Sequence, residues 1–256
     1  MERKRQYSAP AVEKCLDVLE YLSCQQVPKN QKEIANAVNR SPNEIYRVLT
    51  SLEARGYIVR EVSGSYRVSL KLYNLSRSIY PIEQIRRIAM PFMDEFSFKF
   101  GVSCYLCMLY QSQTMVIIHA RGSLPVSLNL AEGALLSTVN TASGNVLLAN
   151  SHPSVQNMLY ARSSDYRSLN EREQATLREK VNQISTEGYT KTIGAFGEGV
   201  YSFATLIGNS ENAIIASLGM SYLNDKTHST KVENGSKEKD LIQGLLKTAN
   251  KINSLL

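Results

Sequence analysis

Hydrophobic and polar positions alternate along the chain with two periods, and the change of period marks the elements. In SPNEIYRVLTSLEARGYI, residues 41–58, Ile45, Val48, Leu49 and Leu52 recur at i, i+3, i+4 and i+7. That spacing predicts one amphipathic helix with a single apolar stripe. Ser41, Pro42 and Glu44 read as its N-cap, first and third helical positions. The Ser41 hydroxyl can accept from the amide near Glu44, and the carboxylate can reach back to the cap. Proline loses nothing where the N–H has no intrahelical partner. Gly56 supplies a left-handed stop. The opposite face carries Asn43, Arg47 and Thr50, with Tyr46 beside them. Upstream, SAPAVEKCLDVLEYLSCQ repeats the Ser-x-Pro start at Ser8 to Pro10, with Val12, Cys15, Leu16, Leu19 and Leu22 as its stripe. In VPKNQKEIANAVNRS, Asn30 caps a short helix, Glu33 sits three residues on, and Ile34, Ala35 and Val38 form the buried side.

Only Asn39 and Arg40 separate that short helix from Ser41, and two helices joined so tightly form a helix-turn-helix arrangement. The period then drops to two. In YIVREVSGSYRVSL, Ile58, Arg60 and Val62 alternate before Ser63-Gly64, and Tyr66 and Val68 continue after it. Three helices and a hairpin make a winged helix-turn-helix. Arg40, Ser41, Asn43, Tyr46, Arg47 and Thr50 are the candidates to meet a major groove, and Arg60 and Arg67 of the wing can lie along the phosphates. Charge supports an anionic partner for this part. Residues 1–80 carry 13 Lys and Arg against 8 Asp and Glu, so five of the six net positive charges of the 256-residue chain sit there. Lys4 and Arg5 in the opening MERKRQYSAP join the candidate phosphate contacts. A solvated basic face, or a winged helix used for protein contacts, would share the same pattern.

Beyond residue 70 the pattern predicts an α+β module. LKLYNLSRSIYPIEQIRRIAMPFMDEFSFKFG is helical on both sides of Pro81, with Ile85, Ile88, Phe92 and Phe96 on one face. SCYLCMLYQSQTMVIIHARG is a hairpin turning near Gln111 to Gln113, and LPVSLN is a further strand. TASGNVLLANS opens a helix after a small-residue loop, and NEREQATLREKVNQISTEGY is a charged helix ending at Gly188. GVYSFATLIGNSENAIIASLGMSYL is a strand pair turning at GNSEN, and SKEKDLIQGLLKTANKINSLL a last helix buried along Leu241, Leu245, Ala249 and Ile252. Adjacent hairpins with helices before and after predict an antiparallel sheet covered by helices. The boundaries read as a winged helix-turn-helix at 1–70, a linker helix at 71–84, and a second domain at 85–256.

Several chemistries are disfavoured. No apolar run reaches membrane-spanning length, and the N-terminus lacks the apolar core of a secretory signal. Four cysteines at 15, 24, 104 and 107 do not make a disulfide framework for this length, so the expected compartment is the cytoplasm. Cys104-x-x-Cys107 lies in a strand, where residues three apart face opposite ways, and His119, His152 and His228 are scattered, so no metal site is expected. Ser143-Gly144 has no base placed beside it for hydrolysis, and GAFGEG lacks the Lys-Ser/Thr of a phosphate loop. No catalytic residue and no cofactor is assigned.

The strings AVEKCLDVLEYL, EIANAVNRSPNEIYRVLTSLEARGYI, SGSYRVSLKLYNL, GALLSTVNTASGNVLLA and GYTKTIGAFGEGVYSFATLI, in this order and spacing, resemble the IclR family of bacterial transcription regulators over nearly all of the chain. The resemblance implies a winged helix, a linker helix and a GAF-like effector domain. It also implies a cytoplasmic dimer, paired into a dimer of dimers, on a palindromic double-stranded operator. A small molecule, here a sugar-derived or aromatic acid, would control a repressor; a sensor or an enzyme built on the second domain is the alternative. By position, the resemblance assigns Leu136, Thr141, Ala142, Ser143, Gly144, Thr192, Val200, Ser202, Gly219 and Ser221 to the effector site. The chain departs from the family where Asn145 replaces a loop lysine, Ser137 a proline, Ala195 an acid, Thr192 a residue often acidic, and Glu44 a common threonine. Loss of formal charge around the loop favours a polyol-like or weakly acidic ligand.

Overall fold

The computed structural model describes residues 9–124, 127–209, 214–223 and 231–256. The chain divides into two units, 1–79 and 80–256.

In the first unit, α1 (Pro10–Ser23), α2 (Gln31–Ala37) and α3 (Pro42–Ala54) precede a hairpin of β1 (Ile58–Arg60) and β2 (Tyr66–Val68), then α4 (Lys71–Arg77). Asn30 and Ser41 close reciprocal capping boxes with Glu33 and Glu44. Gly56, at φ 73°, ends the turn after α3. Ile45, Val48, Leu49 and Leu52 are all buried, against Ile34, Ala35, Ile58 and Tyr66. The α1 stripe differs from the sequence expectation. Val18 and Leu22 are buried with Cys15 and Leu19 packed beside them, whereas Val12 and Leu16 are 57% and 50% exposed. At 3.6 residues per turn, Val12 and Leu16 point roughly 90° and 130° from the mean direction of Cys15, Val18 and Leu22, outside the narrow seam that three short helices can cover. Val62 stands fully exposed in the wing turn rather than continuing β1. Ala9 occupies the N-cap of α1 without a side-chain bond; Ser8 lies outside the described residues.

The second unit begins with α5 (Ile82–Phe100), so the range 71–84 takes in α4, the division between the units and the first turn of α5. Its buried line runs through Ile85, Ala89, Met93 and Phe96, with Ile88 and Phe92 at the margin. The sheet comprises β3 (Cys104–Tyr110), β4 (Gln113–Ala120), β5 (Leu135–Leu136), β6 (Tyr189–Ile193), β7 (Val200–Asn209) and β8 (Ile214–Leu223), all antiparallel, in the order β5-β4-β3-β8-β7-β6. One face packs on α5 and α10 (Lys231–Asn253) through Cys104, Leu106, Phe203, Leu218, Met220 and Leu245. The other meets α6 (Ala142–Ala149), α7 (Pro153–Arg162), α8 (Ser164–Ser168) and α9 (Glu171–Glu187). No strand forms in the described part of LPVSLN: the Leu124 N–H donates to the Gly101 carbonyl at 3.0 Å, and the Asn129 side chain accepts from the Ser103 hydroxyl at 2.9 Å, so single bonds rather than a ladder hold its described residues.

Candidate nucleic-acid interface and ligand site

Helix α3 exists as a presented surface because its ends are fixed from within. The Ser41 hydroxyl and N–H and the Lys14 ammonium of α1, 2.5 Å away, all converge on the Glu44 carboxylate. The Lys14 contact, then Ser41, holds its pKa down at about 2. With the buried stripe facing inward, Asn43, Tyr46, Arg47 and Thr50 are exposed, Tyr46 by 56%. The Thr50 hydroxyl donates to the Tyr46 carbonyl at 2.9 Å, which leaves its lone pairs outward.

The candidate cations divide into two groups. Arg47 has no hydrogen-bond or ion-pair partner among the described residues. Arg40 lies 3.8 Å from Asp17, Arg67 donates to Glu61 at 3.0 Å, and Arg60 stacks over the Tyr66 ring at 5.7 Å. Lys4 and Arg5 lie outside the described residues. The acidic partners Asp17, Glu44 and Glu61 were not legible as such in the sequence, since only contact across elements pairs them.

In the second unit, most of the residues that the resemblance assigns to an effector site lie where α6 crosses the sheet. Thr192 of β6 pairs in register with Ser202 of β7, and Ser202 with Ser221 of β8, so the three share one face. Ser202 and Ser221 are 2.9 Å apart, and the Tyr105 phenol of β3 meets Ser221 at 2.8 Å. Thr141 caps α6, accepting the Gly144 N–H at 3.2 Å and donating to the Ser137 carbonyl at 2.7 Å. Every residue of α6 is buried. Gly144 permits this: a Cβ there would stand 2.3 Å from the Thr138 carbonyl oxygen. A Cβ at Gly219 would stand 2.6 Å from both the Ser143 hydroxyl and the Tyr105 ring, so Ser143, Gly219 and Tyr105 meet at one point. Val200 starts β7, buried, and Leu136 lies half-buried in β5 at the opposite sheet edge.

The departures from the family pattern have local roles. The buried Asn145 amide donates to the Val139 and Thr141 carbonyls at 2.9 and 2.6 Å, stapling the loop before α6. The Ser137 hydroxyl donates to Asp165 of α8, and both line a 180 Å³ polar recess with Arg162, Gln113 and Thr138. Several buried polar atoms of this layer have no partner: the hydroxyls of Ser143, Thr192 and Ser217 and the Asn145 Oδ1. Tyr105 and Ser217 were not singled out in the sequence; the signal available was their alternation along β3 and β8, which places them, with Cys107, on the α6 face. Cys104 and Cys107 point to opposite faces in separate clusters. Burial pushes both thiols up to about 12; the neighbouring Ser143 hydroxyl opposes this at Cys107 but lacks hydrogen-bond geometry to it.

Comparison with known proteins agrees with this geometry. The family described as bacterial transcriptional regulator IclR C-terminal matches residues 81–254, and the IclR helix-turn-helix domain matches residues 11–61. The chain is 23% identical over 227 residues to the HTH-type transcriptional regulator XynR of Escherichia coli K12, covering 88% of this chain and 90% of that protein. An IclR homologue of Microbacterium hydrocarbonoxydans, solved in complex with 4-hydroxybenzoate, superposes with a TM-score of 0.76 at 18% identity, over 96% of this chain and 98% of the other. The IclR of Thermotoga maritima gives 0.71 at 18% identity, over 95% and 97%. The family is one of transcriptional regulators, not of enzymes. With both of its units matched, the chain belongs to the IclR family of bacterial transcriptional regulators, carrying a helix-turn-helix domain and a C-terminal effector domain.

Proposed function

We propose that this regulator is a cytoplasmic repressor that binds a palindromic operator as a dimer or dimer of dimers and responds to a small, weakly acidic or polyol-like metabolite in the second domain, with residues 71–84 as linker. Asn43, Tyr46, Arg47 and Thr50 read bases, and Arg60, Arg67, Lys4 and Arg5 meet phosphates. Described helices include none long and apolar enough to cross a membrane. The observation that carries the regulatory half is the set of buried hydroxyls without partners beside α6, at Ser143, Thr192 and Ser217. Each leaves a hydrogen bond unmade at a cost of about 1–3 kcal/mol, which a polar guest can recover. The 4-hydroxybenzoate bound by the Microbacterium homologue fits the same ligand class. A thermal-shift screen of sugar acids and aromatic acids, followed by operator gel shifts with any hit, tests this. The expected result is a ligand that raises the melting temperature and weakens operator binding. A ligand that binds tightly yet leaves operator affinity unchanged would overturn the regulatory reading.

A further inference from the structure

Taking the effector site as proposed above, we infer that its inner end is a neutral hydroxyl-recognition patch and that Tyr105 is the specificity-determining residue, selecting ligands that carry an uncharged hydroxyl.

Tyr105 and Gly219 are register partners, and His119 of β4 is the partner of Tyr105 on its other side, so all three stand on the α6 face. Ser217 and Ser221 flank Gly219 two residues away on the same strand face. Within this small area the Tyr105 phenol already bonds Ser221, which bonds Ser202, while Ser143 Oγ, Ser217 Oγ and His119 Nε2 are buried without partners. The patch therefore offers more donors and acceptors than it satisfies internally. The residues around Ser143, Ser217 and Tyr105 are uncharged, and the charged groups acting on the patch, Glu132 and Arg121, do so at its His119 margin. Helix α6 contains no ionisable side chain, and the strand positions named here are Tyr, Ser, Gly and His. Burial drives the Tyr105 phenol well above its ordinary range and lowers the His119 pKa, so both are neutral near pH 7. A carboxylate placed against Tyr105, Ser143 and Ser217 would lose its water without a counter-charge among those residues. A hydroxyl can both donate and accept, and so can serve the phenol and the unpartnered serines together.

The test is isothermal titration of the wild-type protein and Tyr105→Phe with two matched pairs: 4-hydroxybenzoate against benzoate, and gluconate against 2-deoxygluconate. Phenylalanine keeps the ring that packs on Gly219 and leaves Ser221 its bond to Ser202. Wild type is expected to prefer the hydroxylated member of at least one pair by about tenfold or more, the worth of one good hydrogen bond in a buried site. In Tyr105→Phe that preference should fall to within about threefold while binding of the deoxy member is kept. Ser221→Ala should reduce the preference in the same direction, since it unties the phenol. A variant that loses both members equally, or a wild type that binds both equally, overturns the assignment to Tyr105 while the effector reading stands. Binding of no member by wild type overturns the proposed ligand class as well. The melting temperature of each unliganded variant, expected within a few degrees of wild type, separates a binding effect from unfolding.

Discussion

Helices α3 and α6 are both short and both start from a hydroxyl cap, yet they serve opposite ends. Helix α3 buries four of its 13 residues, all on one stripe, and leaves Tyr46 and Arg47 outward. Helix α6 buries all eight of its residues, with small side chains at its start and glycine where it touches the Thr138 backbone. One helix is held from behind and leaves its front exposed, as the proposed operator contact requires; the other is enclosed, so the effector proposed for it must be small. Their capping follows suit. A carboxylate reinforces the cap of α3, whereas the cap of α6 is neutral.

The largest expected effect comes from breaking the enclosure. Gly144→Val places a Cβ where only 2.3 Å separates it from the Thr138 carbonyl oxygen and 2.4 Å from its Cα, backbone that cannot swing aside. The expected cost is about 3 kcal/mol, read as a lowered melting temperature. Gly56→Ala, after the exposed helix, meets nothing closer than 4.0 Å and suffers only from its φ of +73°, so its cost should be about 1–2 kcal/mol. If Gly144→Val melts with the wild type, α6 is not clamped as described. On the presenting side, Arg47→Ala should leave the fold intact and weaken specific operator binding by about 1–3 kcal/mol, measured by gel shift at fixed salt. Unchanged affinity removes Arg47 from the interface.

Capping gives a smaller contrast that pH can resolve. Ser41→Ala and Thr141→Ala should each cost about 1 kcal/mol. Only the α3 cap titrates. The Glu44 pKa is depressed from 4.5 to about 2 by Lys14 and Ser41, so its contribution is complete above about pH 4.5 and is lost as the pH falls toward 2. The melting temperature of wild type should therefore fall more steeply through that window than that of Glu44→Gln, while Thr141→Ala should track wild type. Parallel curves for wild type and Glu44→Gln would show that the ion pair does not act on stability.

What could be read beforehand follows the same division. The α3 stripe, both caps of the helix-turn-helix and the antiparallel sheet between helices were legible, because local periodicity and cap chemistry dictate them. The α1 stripe was read too broadly, since counting apolar residues does not say how narrow the seam is. Val12 and Leu16 remain exposed for that reason. LPVSLN has the composition of a strand, but its described residues bond singly, Leu124 to the Gly101 carbonyl and Asn129 to the Ser103 hydroxyl. In the layer under α6, the family resemblance singled out Ser202 and Ser221, whereas Tyr105 and Ser217 join them only through register, because strands distant in sequence bring them to Gly219. Asn145 and Ser137 read as lost chemistry from sequence; in the fold, each ties down the loop before α6.

The smallest expected effect concerns the wing, where a presented cation is already engaged. Arg67 donates to Glu61 at 3.0 Å, with the two side chains 57% and 38% exposed. An exposed pair of this kind contributes about 0–1 kcal/mol, so a phosphate can win the guanidinium away. Glu61 would then remain beside the phosphate backbone and offset part of the gain. Arg67→Ala should accordingly weaken operator binding by less than Arg47→Ala, and it should flatten the plot of log affinity against log salt by less than the roughly 0.9 units of a fully released counterion. Glu61→Gln should do the reverse. It frees Arg67 without adding a charge, so binding should tighten by about fivefold at most and the salt slope should steepen by no more than about one unit. Gel-shift titrations of the three proteins at several salt concentrations decide it. If Glu61→Gln changes neither slope nor affinity while Arg67→Ala weakens binding fully, the pair does not temper the wing; if neither variant differs from wild type, Arg67 lies off the operator and the contacts concentrate on α3.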